Sequence, residues 1–286
     1  MNKGPSLIDL IQTQLNGDLH ELPVFHEVAI KLQQVLARKG FQIEEIVKLI
    51  SEDPALASQV LKVANSLYFA GLSKVATIKD AIVRVGAQEI ANLAMLASQA
   101  KVYHSDNKLI DSYMQRLWGH AISCATGAKW LALKLFQPSL AQEAFMGGLL
   151  HDIGKLAIIS ILDNILRSGK QRVDFSELLI NEILDTMHEE AGYRLMQSWN
   201  LPETYCHIAI NHHKDEFDGS NMLLDIVRLS DLACRKVGKV VTPDPTINIM
   251  ASKEAHYLGI KELTAAELEI VIEDALLEQN EIYGLE

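Results

Sequence analysis

Apolar residues recur every three or four positions along nearly the whole chain, the spacing that places them on one face of an α-helix. The pattern is clear in VAIKLQQVLARKG (28–40), IEEIVKLISEDP (43–54) and AIVRVG (81–86). The two-residue alternation typical of a half-buried strand is scarcely visible. The pattern therefore predicts an all-α protein of about a dozen helices.

Proline and glycine mark candidate helix ends. Proline suits the first helical turn, where its missing N–H is not needed, and glycine suits the residue just past the last turn. The prolines that stand before an apolar periodic run are Pro23, Pro54 and Pro202. The glycines that stand after one are Gly40, Gly86 and Gly238. Two capping boxes, Ser139 with Gln142 and Thr264 with Glu267, predict two further helix starts.

Two stretches interrupt the periodic pattern. Residues 104–111, HSDNKLID, are the most polar stretch between helical segments of the first half, and residues 242–248, TPDPTIN, carry two prolines. They predict boundaries near these positions. The last periodic segment, residues 264–285, has one apolar and one acidic face. It is interpreted as a helix that packs on the body of the protein, with a dimerisation helix as the alternative.

The chain is acidic. It has 286 residues, of which 49% are hydrophobic, so it can bury a large core in one or two domains. Its formal net charge is −11, and its lysines and arginines are scattered rather than clustered. Because nucleic acids attract basic surfaces, these features disfavour a nucleic-acid partner.

The sequence also bears on location. No apolar run approaches the roughly 20 residues of a membrane-spanning helix, and the N-terminal residues 1–18 lack the long apolar core of a signal peptide. The three cysteines, Cys124, Cys206 and Cys234, are widely spaced and form no CxxC pair. This pattern favours reduced thiols packed in the core. We therefore expect a cytoplasmic protein without a membrane partner.

Charged side chains stand inside an apolar segment at residues 147–158, GGLLHDIGKLAI. His151, Asp152 and Lys155 need partners there, because an unpaired buried charge costs several kcal/mol. Adjacent residues on a helix point about 100° apart. His151 and Asp152 can therefore reach one site only at a helix end, a kink or a wide cavity.

Half of the ten histidines fall, with two aspartates, into an ordered series of potential metal ligands. The series is His120, His151, Asp152, His188, His212, His213 and Asp231. Imidazole and carboxylate together suit iron, manganese, zinc or nickel, whereas calcium would need a shell of oxygens. The other histidines are interpreted as core residues with satisfied hydrogen bonds, and they are His20, His26, His104, His207 and His256.

The order of His120, His151-Asp152 and Asp231 resembles the four ligands that define the HD superfamily of metal-dependent phosphohydrolases. Lys155, His188 and the His212-His213 pair resemble further residues of the HD-GYP subgroup. That resemblance implies a second metal held by the extra histidines and a lysine that contacts the substrate phosphate. The chain continues after His213 as KDEFDGSNM, without a Gly-Tyr-Pro motif, so selectivity for cyclic dinucleotides is not implied.

The first hundred residues resemble another branch, the HDOD family of HD-related output domains in bacterial signalling proteins. The similarity is carried by ELPVFHEVAIKLQQVL, LISEDPALASQVLKVANSLYFAG and TIKDAIVRVGAQEIANLAML, with the Asp53-Pro54 turn and Asn65-Ser66 as its most specific marks. It covers residues 12–240. It implies an N-terminal helical subdomain (12–106) packed on an HD-type subdomain (107–240), followed by a helical extension (241–286).

The two resemblances together imply a dinuclear metal centre. In this hypothesis Asp152 bridges two divalent ions, and His120, His151 and Asp231 complete the first while His188, His212 and His213 complete the second. His213 could instead orient His212 through its free ring nitrogen. Iron or manganese is expected, with zinc, nickel or magnesium as alternatives. Asp152 and Lys155 are the candidate catalytic residues.

Two functions stay open at this point. The first is hydrolysis of a phosphoester, for example a nucleotide, by a bacterial signalling enzyme. The second follows from the many HDOD proteins that have lost the HD ligands: a non-catalytic output module that binds a partner protein or a nucleotide.

Overall fold

The computed structural model describes residues 6–17, 27–69, 71, 74–100, 102–168 and 176–283, and the regular elements there are all helical. The first six helices are α1 (Leu7–Leu15), α2 (Glu27–Ala37), α3 (Ile43–Ser51), α4 (Pro54–Ala64), α5 (Ile78–Val85) and α6 (Ala87–Ala100). The others are α7 (Lys108–Lys134), α8 (Ala141–Leu150), α9 (Ile153–Ser168), α10 (Glu177–Ser198), α11 (Glu203–Asn211), α12 (Met222–Lys236), α13 (Lys253–Tyr257) and α14 (Glu262–Tyr283). Short 3₁₀ turns lie at Leu67–Phe69 and Ile249–Ala251. The prediction of an all-α fold is confirmed.

The predicted helix ends are confirmed where they depend on backbone conformation. Gly40, Gly86 and Gly238 all have positive φ angles, at 78°, 99° and 82°, which glycine adopts without the strain of a Cβ. Pro54 opens α4 behind an Asp53 cap, and Pro202 precedes α11. Pro23 lies outside the described residues.

The two predicted capping boxes are wrong. Helix α8 is preceded by Leu140, which makes no side-chain cap, so Ser139 lies outside the helix start. Helix α14 begins at Glu262, which places Thr264 inside its first turn. The residue pattern of a box is short, and packing of the neighbouring helices decides where each of these helices begins.

Helices α2 to α6 pack on one another as an N-terminal bundle, and α7 is the central helix of the second half, in contact with α8, α9, α12 and α14. A buried amide chain joins the two halves. Gln33 Nε2 donates to Asn92 Oδ1 at 3.3 Å, and Asn92 Nδ2 donates to Gln142 Oε1 at 2.9 Å. These bonds connect α2, α6 and α8, so the N-terminal bundle is fixed against the helix that leads into the His151-Asp152 segment.

Within the described residues, one stretch, Ala141–Ser168, is long and apolar enough by composition to cross a membrane. The expectation that no such stretch exists is therefore wrong. Asp152 and Lys155 interrupt the run of apolar residues, so the stretch is not evident as one continuous apolar segment. Its apolar window is entirely buried inside the fold. It consists of α8 and α9, which pack against α7 and α10, so its composition is explained by its place in the core.

The C-terminal helix packs on the body of the protein, as predicted. A non-helical connection with two prolines separates Lys236 from Ile249, and α14 then packs along α7. Leu268, Ile272 and Ala275 of its apolar face are fully buried. The three cysteines are buried and unpaired, as predicted.

Two glycines allow very close contacts around the His151-Asp152 segment. A Cβ at Gly148 would lie 2.7 Å from the Cα of Ala125 in α7, and a Cβ at Gly154 would lie 1.9 Å from the carbonyl oxygen of His188 in α10. No other residue fits either position without moving a helix. The start of α9 is therefore held directly against α10, next to the candidate ligands.

Candidate metal centre

The seven predicted ligands come from five segments of the chain that meet at the α8–α9 junction. His120 lies within α7, His188 within α10 and Asp231 within α12. Helix α11 ends at Asn211, so His212 caps it and His213 follows. His151 and Asp152 lie between the end of α8 and the start of α9. Of the three arrangements that would let adjacent residues face one site, the structure therefore has a helix end.

His120, His151 and Asp231 form one group of potential donors, with ligand atoms within 4.8 Å of one another. The Nε2 atoms of His120 and His151 are 3.1 Å apart. Asp231 Oδ1 lies 3.3 Å from the first and 3.8 Å from the second. All three side chains are buried.

Asp152, His188, His212 and His213 form the second group, again with ligand atoms within 4.8 Å. His188 Nε2 and His212 Nε2 are 3.4 Å apart. Asp152 Oδ1 lies 3.5 Å from the former and 3.3 Å from the latter. His213 is the least buried member. The structure thus brings all seven predicted side chains together.

Asp152 lies between the two groups. Its Oδ2 atom is 3.2 Å from His120 Nε2 and accepts a hydrogen bond from Lys155 Nζ at 2.7 Å. Its other oxygen, Oδ1, is buried and has no hydrogen-bond partner among the described residues, although it faces the histidines of the second group. An unpaired buried carboxylate oxygen is costly, and a cation relieves that cost.

The histidines of both groups are held by the backbone through their outer ring nitrogens. The Nδ1 contacts are His120 to Lys239 O at 2.8 Å, His151 to Gly148 O at 2.8 Å, His188 to Leu184 O at 2.6 Å and His212 to Ala209 O at 2.8 Å. A carbonyl oxygen only accepts, so each Nδ1 must carry the proton. In the neutral ring Nε2 then presents a lone pair, and the Nε2 atoms of all four rings point at the site. This arrangement is how proteins orient histidines that bind metals.

The acidic neighbours favour positive charge on the first group. Burial opposes protonation of His120, but Asp152 and Asp231 outweigh it and raise its pKa to about 9. Burial also opposes protonation of His151, and Cys124 with the two carboxylates raises its pKa to about 10. Burial acts against the charged carboxylates too, yet the surrounding cationic groups hold the pKa of Asp152 and Asp231 below the usual range. The first group is therefore a strong cation-binding environment.

The histidine pKa values of the second group shift in the opposite direction. Burial is the largest cause of the lowered pKa values of His188, His212 and His213, which fall to about 3, 4 and 3. These rings are neutral near pH 7 and keep their Nε2 or Nδ1 lone pairs free. Neutral imidazole is the form that binds a metal ion.

An open cavity of about 400 Å³ lies directly beside the second group. It is lined by Lys155, Asn181, Leu184, Asp185, His188, His213, Asp231, Arg235, Val240, Val241 and Thr242. Lys155 is buried and its pKa is raised, because the attraction of Asp152 exceeds the opposing effect of burial. Three potential ligands, His188, His213 and Asp231, therefore form part of the wall of an open cleft.

Sequence reasoning missed some features of this region and misjudged others. Arg235, four residues after Asp231, was not singled out although it lines the cleft; the helical i,i+4 spacing was the available signal. His104, His207 and His256 are on the surface, so their interpretation as core residues is wrong. His104 instead contacts Asp111 at 2.7 Å. His20 and His26 lie outside the described residues.

Comparison with known proteins gives the family. The HDOD domain family model matches residues 22–215. The chain belongs to the HDOD family. An uncharacterized protein of Treponema pallidum (strain Nichols) is 28% identical over 200 residues, which are 68% of this chain and 38% of that protein. The chain therefore spans well under half of that relative's length.

Solved structures share the fold. An HDOD domain protein of unknown function from Geobacter sulfurreducens has a TM-score of 0.72 at 19% identity, covering 97% of this chain and 98% of that one. A protein described as a signal transduction protein from Marinobacter aquaeolei VT8 has a TM-score of 0.70 at 20% identity, covering 96% and 65%. One described as a phosphohydrolase from Shewanella amazonensis SB2B has a TM-score of 0.58 at 24% identity, covering 95% and 96%. The HDOD resemblance and the helical fold are confirmed.

Proposed function

We propose that this HDOD protein is a metal-dependent phosphohydrolase that hydrolyses a phosphoester at a dinuclear centre. One observation carries the proposal: four histidine Nε2 atoms, with each ring fixed by a backbone carbonyl, converge on the Asp152 carboxylate, whose Oδ1 atom is buried without a hydrogen-bond partner among the described residues. Imidazoles arranged in this way repel one another unless positive charge lies among them. Divalent ions supply that charge.

The residues present fit two ions. His120, His151 and Asp231 would hold the first, and His188, His212 and His213 the second, in the two groups that the geometry separates. Asp152 would join them, because Oδ2 faces the first group and Oδ1 the second. A donor set of imidazole and carboxylate favours iron or manganese; zinc and nickel also accept it, and magnesium prefers oxygen ligands.

Bound ions of this kind lower the pKa of a water molecule and stabilise both the attacking and the leaving oxygens of a phosphoester displacement. The chain's own residues would place the substrate. Lys155 is fixed by Asp152 and lines the cleft, so its ammonium group faces the region where negative charge develops on the phosphoryl oxygens. Arg235 in the same cleft offers a second positive charge to a phosphate.

The volume of the cleft also limits the size of the substrate. About 400 Å³ lies at the lower end of the range for small-molecule sites, so we propose a nucleotide or another small phosphoester as the ligand. The apolar side chains Leu184, Val240 and Val241 could contact a base or another organic group. We place this activity in cytoplasmic bacterial signalling, with a signalling protein as partner and without nucleic-acid or membrane binding.

The test compares two buried aspartates. Wild type, Asp152→Asn and Asp163→Asn are purified without oxygen, their metal content is measured, and turnover of bis(p-nitrophenyl) phosphate and p-nitrophenyl phosphate is followed. Asp163 is buried like Asp152, but it bonds Ser105 and Arg167 outside the site. We expect Asp152→Asn to lose turnover and metal while Asp163→Asn keeps both. Equal turnover rates for wild type and Asp152→Asn would refute the proposal that this protein is an enzyme.

A non-catalytic output module is the second candidate, favoured by membership of the HDOD family and by the likeness to a protein described as a signal transduction protein. Such a module would bind a partner protein or a nucleotide through the same fold. Full metal occupancy without turnover, together with saturable nucleotide binding to the metal-free chain, would support this candidate over the first.

A further inference from the structure

Arg228 is a buried residue of α12, one turn before Asp231, and it is not a candidate ligand. Its Nη1 atom donates to backbone carbonyls at the end of α11 and just beyond it. The acceptors are Asn211 O at 3.1 Å, His212 O at 2.8 Å and Lys214 O at 2.9 Å. The last carbonyls of a helix have no partner within the helix, so Arg228 supplies the missing donor where α11 presents its two histidines.

The other side of the Arg228 guanidinium faces the C-terminal extension. Its Nε donates to Glu254 Oε1 at 2.8 Å, and its Cζ lies 3.9 Å from the centroid of the Phe217 ring. Glu254 belongs to α13 and is also buried. A planar fork can bond carbonyls and a carboxylate at once while stacking on an aromatic ring, which a lysine cannot do.

Further contacts join α13 to the same segment. Lys253 Nζ donates to Asp215 O at 2.8 Å, and the Tyr257 hydroxyl donates to Phe217 O at 3.4 Å. The Tyr257 and Phe217 rings meet edge to face with centroids 5.5 Å apart. Residues 211–217, which carry His212 and His213, are therefore held from outside by α13.

The two donor groups differ in their dependence on these contacts. His120 and His151 are held by Lys239 O and Gly148 O, which Arg228 does not touch. His188 and His212 are likewise held by Leu184 O and Ala209 O, but Ala209 lies in the last turn of α11, and Arg228 binds the carbonyls at the end of that turn. Arg228 is the buried link between this helix end and the extension.

We infer that Arg228 is a positioning residue for the second metal ion, and that it makes occupancy of the second site depend on docking of α13 through Glu254. This inference rests on the metal-dependent function proposed above. It gives the segment beyond residue 240 a role in the centre: binding at His188, His212 and His213 requires α13 in place, whereas binding at the first group does not.

The experiment measures the two ions separately by titrating metal-free protein with Mn²⁺ or Co²⁺ and counting bound ions per chain. For Arg228→Met we expect affinity for the second ion to fall about 10- to 100-fold, as it does when groups that support metal ligands are removed, with the first ion unaffected. Arg228→Lys should recover only part of the loss, and Glu254→Gln should weaken the second ion less than Arg228→Met. Added guanidinium should restore the second ion in Arg228→Ala.

Lys129→Met is the matched control, because it breaks a partly buried ion pair with Glu89 away from the site. It should lower thermal stability and keep both ions. The Arg228 role is overturned if Arg228→Met binds two ions with wild-type affinities, or if it weakens both ions equally. Wild-type protein that binds no ion overturns both this inference and the proposed function, whereas two ions bound with equal affinities by wild type and by Arg228→Met overturn this inference alone.

Discussion

The two donor groups share Asp152 but are built differently. The first is deeply buried, draws on the interiors of α7 and α12, and has histidine pKa values raised by carboxylates. The second depends on the end of α11, lines the cleft with His188 and His213 where the first group contributes only Asp231, and has histidine pKa values lowered by burial. If the proposed function holds, this difference predicts that the first group would retain its ion more firmly than the second group.

The largest effects are expected when one histidine of each donor group is replaced, because each substitution should affect mainly the ion of its own group. His120→Ala should abolish the first ion and reduce turnover by about 10³-fold, the upper end of the loss that follows removal of one group that stabilises transition-state charge. His188→Ala should leave the first ion bound and lose the second. Metal analysis and turnover of p-nitrophenyl phosphate measure both effects. Simultaneous loss of both ions from His188→Ala would show that the groups are not separable.

A smaller effect is expected at Lys155, which bonds the shared carboxylate and lines the cleft. Lys155→Met should lower kcat by about 100-fold, the usual result of removing one group that stabilises transition-state charge. The metal content should stay at the wild-type value, since Lys155 is not a ligand in this proposal. Steady-state kinetics with parallel metal analysis distinguish this outcome from loss of an ion, and an unchanged kcat would remove Lys155 from the mechanism.

The smallest effect concerns the stability of the metal-free chain. The raised pKa values of His120 and His151 contribute stability that is complete below the ordinary histidine pKa of about 6.5 and is lost as pH rises through about 9 to 10. The lowered pKa values of His188, His212 and His213 act in the other direction, so stability falls as pH drops from about 6.5 towards about 3. Stability should therefore be greatest near pH 6.5.

Chemical denaturation of chelator-treated protein across this pH range checks that expectation. His120→Ala should flatten the alkaline side of the profile and leave the acid side, and His188→Ala should flatten the acid side. A profile in which either substitution changes both sides equally would contradict the contrast between the groups.

Sequence reasoning reached the helical fold and the family, because apolar periodicity and the His151-Asp152 pattern are local features. It also required a helix end, a kink or a wide cavity at this pair, since adjacent residues diverge on a helix, and the α8–α9 junction is a helix end. Asp231 lies beyond the matched residues 22–215, yet the order of ligands pointed to it.

The features that it missed depend on contacts between distant segments. The carbonyl of Lys239 that orients His120 is 119 residues away in the chain, and no local pattern marks it. Arg228 and Glu254 resemble ordinary surface charges until folding buries them together. The surface histidine His256 and the shifted start of α14 show the same limit, because burial and helix boundaries are decided by tertiary packing.

The contact at Gly154 has a mechanical consequence. No side chain separates α9 from α10 at that point, so the main chains themselves act as the spacer. A displacement of α10 towards α9 is blocked by hard atomic overlap rather than cushioned by a deformable residue. The distance between Asp152 and His188 thus has a fixed minimum, and substitutions of the surrounding side chains cannot shorten it further.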